Sequence, residues 1–185
     1  MRWQRLFEDL EAQVERAEQA TLESEVADRT RREVARIRLA DRFRAALGRE
    51  VTIRVMGVGP VRAVVRAAGP DWLLLAEQPG TEMLVPLSSM TSVSGLGQQA
   101  TVPGAEGRVG ARLKLAFMLR GVARDRAHVS ISLVDGTATA GTVDRVGADF
   151  FDLAVHDATE PRRSGGVQSV RSIPFSALAV LRRTV

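Results

Sequence analysis

Cysteine is absent from the 185 residues, and histidine occurs only at His128 and His156. Without thiols there are no disulfides, thiolate metal sites or cysteine nucleophiles, and two imidazoles leave almost nothing for a zinc centre or a Ser-His-Asp relay. Tyrosine and asparagine are also missing, lysine appears once, at Lys114, and aromatic residues make up 4% of the chain. No stretch approaches the roughly 18 uninterrupted apolar residues of a membrane-spanning helix. The first residues, Met1-Arg2-Trp3-Gln4-Arg5-Leu6-Phe7-Glu8, are charged where a signal peptide is apolar. These absences predict a cytoplasmic, non-enzymatic protein without cofactor, metal or membrane contact.

What is present in quantity is arginine. The chain has 26 basic residues, all arginine except Lys114, against 22 acids, a net charge of +4. The isoelectric point of about 11.0 overstates this excess. With no Tyr or Cys and one Lys, almost nothing titrates between pH ~8 and ~12, so a small arginine surplus carries the value far up.

Residues 1–47 contain neither Gly nor Pro and are dense in Glu, Arg, Ala, Gln and Leu, which predicts a helical arm ended by Gly48. Trp3, Phe7, Leu10, Val14 and Ala17 recur at alternating steps of four and three, the seam of a coiled coil or a packed helix pair. The phase slips after Thr21, where a new stripe begins at Val26, Thr30, Val34 and Ile37, so a bend is expected at Thr21–Ser24. Charge is split along this arm. Residues 1–28 hold three arginines and eight acids, a net of −5, whereas residues 29–50 hold eight arginines and three acids, a net of +5. The split favours antiparallel pairing, either as a hairpin within one chain or as a coiled coil between two.

Beyond Gly48 the pattern acquires a period of two: Val51, Ile53 and Val55 alternate with Thr52, Arg54 and Met56. Five short strands are expected before residue 94. The pattern then returns 78 residues later. Val51, Ile53 and Val55 meet Val129, Ile131 and Leu133, and Gly69-Pro70-Asp71-Trp72 meets Gly147-Ala148-Asp149-Phe150. Further on, Leu84-Val85-Pro86-Leu87 meets Ser172-Ile173-Pro174-Phe175 at an offset of 88, because the second copy has a longer loop around His156–Gln168. Residues 95–110 form a linker, and a helix is expected over Ala111–Arg126 in the place of the 34–47 helix.

A helix followed by five short strands, with Gly141 in strand two, a Gly-x-Asp turn before strand three and Ile173-Pro174-Phe175 before strand five, resembles the Sm-like β-barrel. The likeness is closer in residues 111–185 than in 48–94, where Ala63 replaces the strand-two glycine. The arm-plus-tandem-barrel layout is also similar to proteins of GC-rich bacteria. The resemblance implies an α+β protein: a helical arm (1–47), then two small five-stranded Sm/SH3-like β-barrels (48–94 and 111–185), each preceded by a helix. It also implies strand-edge assembly and RNA binding at loops, although Pro86-Leu87-Ser88-Ser89 and Pro174-Phe175-Ser176-Ala177 depart from the family's RNA-contacting turns.

Arg162, Arg163, Arg171, Arg182 and Arg183 gather in sequence near the second copy's loop and C-terminus, where they could track a phosphate backbone. Trp72 and Phe150-Phe151 read as core rather than stacking platforms, and Asp71 and Asp149 as turn residues bonding their own backbone. His128 and His156 read as surface or strand-end residues, and Gly57-Val58-Gly59 as a phosphate-loop fragment lacking its Lys. Two functions remain open. One is sequence-tolerant RNA or DNA binding through those arginines. The other is a homo-oligomeric protein–protein scaffold, or adaptor for a protein partner, built on the arm through Trp3, Phe7, Leu10 and Val14.

Overall fold

The computed structural model describes residues 2–78, 80–156 and 169–184. The chain divides into two units, the first ending at Ile37.

The first unit is α1 (Arg2–Val34), a helix that runs without a break through the expected bend at Thr21–Ser24. At 1.5 Å per residue its 33 residues reach about 50 Å. Local pairs support its second half: Arg31 with Asp28, and Arg29 with Glu33 at 3.4 Å, each worth a few tenths of a kcal/mol. Arg31 and Arg32 occupy the last turn, where cations face the negative end of the helix dipole. The helix does not continue to Gly48 as expected. A turn over 35–36 and an extended Arg38 separate it from α2 (Leu39–Ala45). Asp41 accounts for the restart: its Oδ2 accepts the Arg38 N–H at 2.9 Å, and its Oδ1 takes the Arg44 guanidinium at 2.6 Å. Arg44 also reaches Glu106 at 3.3 Å, tying α2 to the segment ahead of α3 (Gly107–Gly110). Asp41 is buried, so the carboxylate is held by charge-assisted bonds in place of water.

The second unit overturns the two-barrel expectation. Its strands are β1 (Glu50–Val55), β2 (Gly59–Ala68), β3 (Trp72–Gln78), β4 (Thr81–Pro86), β5 (Met90–Ser94), β6 (His128–Leu133), β7 (Ala138–Val146), β8 (Phe150–Val155), β9 (Ser169–Pro174) and β10 (Leu178–Thr184). They form one antiparallel sheet, open at both ends, in the order β5-β1-β2-β3-β4-β10-β6-β7-β8-β9. The repeat is nevertheless carried into the backbone. β6 lies 78 residues beyond β1 at both ends, and β9 lies 88 beyond β4. The register shift between Val65 and Ala67 on β2 returns between Val143 and Arg145 on β7. What joins the halves is the β4·β10 ladder, Leu84↔Leu181, Met83↔Arg182 and Glu82↔Arg183.

Packing explains why the halves do not separate. One core gathers Phe43, Ile53, Leu73, Leu75, Met83 and Val85 of the first half, and β10 contributes Ala179 and Val180 to it. The other is built on Leu119, Ile131, Phe151, Leu153 and Leu178, and it takes in Trp72 and Leu84 from the first half. β10 is buried on both faces: Ala179 and Val180 belong to one core and Leu178 and Leu181 to the other, with a register shift against β6 between Leu178 and Val180 that breaks simple alternation. The turns meet as well. Gly57, at φ +70°, sits where a Cβ would fall onto the backbone of Leu133, Val134 and Gly136, so its missing side chain permits contact between the halves.

α4 (Leu115–Asp125) begins later than residue 111 for a tertiary reason. The Asp71 carboxylate accepts the Leu115 N–H at 2.8 Å, acting as a helix cap from 44 residues away instead of bonding its own turn. Beside it, Trp72 is 6% exposed and its indole N–H donates to the Leu113 carbonyl at 2.6 Å.

Candidate functional site

Of the five arginines singled out by sequence, the three described ones are not all brought together. Arg162 and Arg163 lie outside the described residues. Arg171 is exposed on β9, the sheet edge, while Arg182 and Arg183 are on β10 in its interior, with β6, β7 and β8 between. Arg182 pairs with Glu77 at 3.1 Å and Arg183 with Asp125 of α4 at 2.8 Å, so both charges are partly spent on the fold. Trp3, Phe7, Leu10 and Val14 belong to α1, and their side chains are outside the described ones. Farther along α1, Leu22, Val26 and Val34 are 65%, 59% and 60% exposed.

The two histidines form a pair that sequence reasoning missed. His156 is buried, its Nε2 is 2.8 Å from the Thr142 hydroxyl, and its ring centroid is 5.1 Å from that of His128. β6 and β7 create the meeting, since His128 is the register partner of Thr142. Among the described residues no group of three His, Asp or Glu could hold a metal ion, and no helix is long and apolar enough to cross a membrane.

Asp152 on β8 ties the outer strands together. Its Oδ1 accepts the Ser172 hydroxyl of β9 at 2.6 Å, and its Oδ2 receives the Arg145 guanidinium of β7 at 2.7 Å. The Ser172 bond and then Arg145 hold its carboxyl below the ordinary value of 3.8, against partial desolvation. A depressed carboxyl stabilises the fold above its unfolded-state pKa, and that contribution is lost as the pH falls through the lower native value. Acidification below about pH 4 should therefore loosen β9 first. Hydrogen exchange at the β9 amides checks this, and Asp152→Asn should remove the pH dependence.

A cavity of about 190 Å³ lies between α4 and the sheet, at the seam where the halves join. Leu74 of β3, Leu84 of β4, Leu181 of β10, and Met118 and Val122 of α4 provide its apolar lining. Glu82, Asp125 and Arg183 are its charged members. Gly121 also lines it, in the middle of α4, where glycine costs about 1 kcal/mol relative to alanine. A Cβ there would meet nothing within 4 Å. In sequence this glycine looked like any other in a helix, and nothing along the chain places it opposite β10.

No family model matches this chain, and no curated protein or solved structure proved similar to it.

Proposed function

We propose that the protein is a non-enzymatic binding module that works as a protein–protein scaffold, with α1 as the element that joins one copy to another. The observation that carries this reading is the exposure of Leu22, Val26 and Val34 on a 33-residue helix. With Thr30 they occupy one broad face. A second copy is the occupant that charge favours. An antiparallel neighbour staggered along α1 sets Arg29, Arg31 and Arg32 of one arm beside the acidic stretch Glu8–Glu25 of the other. The cross-laced sheet gives such an assembly a stiff platform. Sequence-tolerant nucleic-acid binding has less support, because Arg182 and Arg183 are held in ion pairs.

Light scattering on the full chain over a range of concentration tests the reading. The expected result is a mass above that of one chain, returning to one chain in the double variant Leu22→Asp, Val26→Asp with its sheet signal intact. A monomer throughout, or a variant of unchanged mass, overturns it. Tight RNA or DNA binding that weakens steeply with salt and with Arg171→Glu would transfer the function to nucleic acid.

A further inference from the structure

The cavity between α4 and the seam combines apolar walls, one uncompensated carboxylate and an unfilled space beside a helical glycine. Its size matches a single ring, since buried apolar cavities of about 150 Å³ admit benzene. The charges are not symmetric. Arg183 is committed to Asp125 at 2.8 Å, whereas Glu82, across the ladder from Arg183, makes no ion pair among the described residues. Asp125 is the last residue of α4, so the carbonyl end of that helix adds negative potential. Arg124 and Arg126 flank Asp125 in sequence without lining the cavity. Gly121 sacrifices helix propensity at the wall, yet no neighbour needs the room its missing side chain leaves.

We propose that this cavity binds a small organic ammonium ion, an apolar body of about one aromatic ring carrying a primary amine. The ring lies among Leu74, Leu84, Met118 and Leu181, and the ammonium group faces Glu82. An alcohol of the same shape gains the apolar contacts without the ionic one, and a carboxylate meets repulsion from Glu82.

Calorimetric titration of the full chain with phenethylamine, phenylethanol and phenylpropionate provides the test. The amine should bind about tenfold more tightly than the alcohol, with the carboxylate weakest. Glu82→Gln should bring the amine down to the level of the alcohol, a change at a half-buried position that leaves the core alone. Gly121→Leu should abolish binding of both compounds, with circular dichroism confirming that the helix is retained. Equal affinity for amine and alcohol, preference for the carboxylate, or no saturable binding to the wild type each overturns the proposal, whatever becomes of the Gly121 variant.

Discussion

Val180→Asp should unfold both halves of the sheet together. Val180 is fully buried in the first core although it belongs to the second repeat, and its neighbour Leu181 is buried in the other core. A carboxylate at this position loses its water without gaining a partner, a cost of about 4 kcal/mol or more. That is a large share of the stability expected of a small domain. Val180→Ala, which only removes methyl groups, should cost about 2 kcal/mol. Urea denaturation followed by fluorescence measures both, because Trp72 sits in the second core while its strand belongs to the first half. A single transition that shifts as a whole is the expected behaviour. Two separable transitions would show that the cores fold independently despite the shared strand.

Gly57→Ala should cost about 2–4 kcal/mol, from left-handed backbone strain and from pressing a methyl group into neighbouring backbone. Gly57 has φ +70°, and the space its Cβ needs is taken by the backbone of Leu133, Val134 and Gly136. Gly59 is the control. It has φ +92° but nothing within 4 Å of a built Cβ, so Gly59→Ala should pay only the strain, about 1–2 kcal/mol. The difference between the two midpoints isolates the contact between halves. Equal costs would mean that the turns move apart without penalty.

Much of the sheet was legible because β-strands announce themselves by a period of two, and a duplicated pattern announces itself twice. Val51, Ile53 and Val55 against Val129, Ile131 and Leu133 located β1 and β6 directly. The seam was not legible in the same way. The unbroken apolar run Leu178-Ala179-Val180-Leu181 in β10 reads as burial on both faces, but does not show that Val180 and Leu181 serve different cores. The α4 boundary was hidden for a related reason: Asp71 caps it from far away in sequence. Composition likewise favoured a helix through residues 35–38, and the bonds of Asp41 to Arg38 and Arg44 overrode that preference. As for the sites, the described arginines of the sequence cluster are separated by strand order, Arg171 on β9 and Arg182 and Arg183 on β10. The cavity depends on a glycine and a glutamate whose proximity arises from packing α4 on the sheet, which no spacing rule encodes.

The duplicated register has a consequence at the ends of the sheet. β4 and β10 join inside the chain, and their repeat counterparts, β9 and β5, are the two strands without an outer neighbour among the described residues. In principle each copy could therefore add to the next as its own halves add to one another. The side chains forbid it. Met83 and Leu84 of the inner seam correspond to Arg171 and Ser172 on β9, and Ala179 and Val180 correspond to the exposed Thr91 and Ser92 on β5. Extending the series would strip water from Arg171 and three hydroxyls with no apolar surface to offset the loss. β5 is also shorter than β10, ending at Ser94 before Gly95 turns the backbone at φ +91°. The same strands whose apolar twins make the two halves cohere thus disfavour edge-to-edge extension of the sheet.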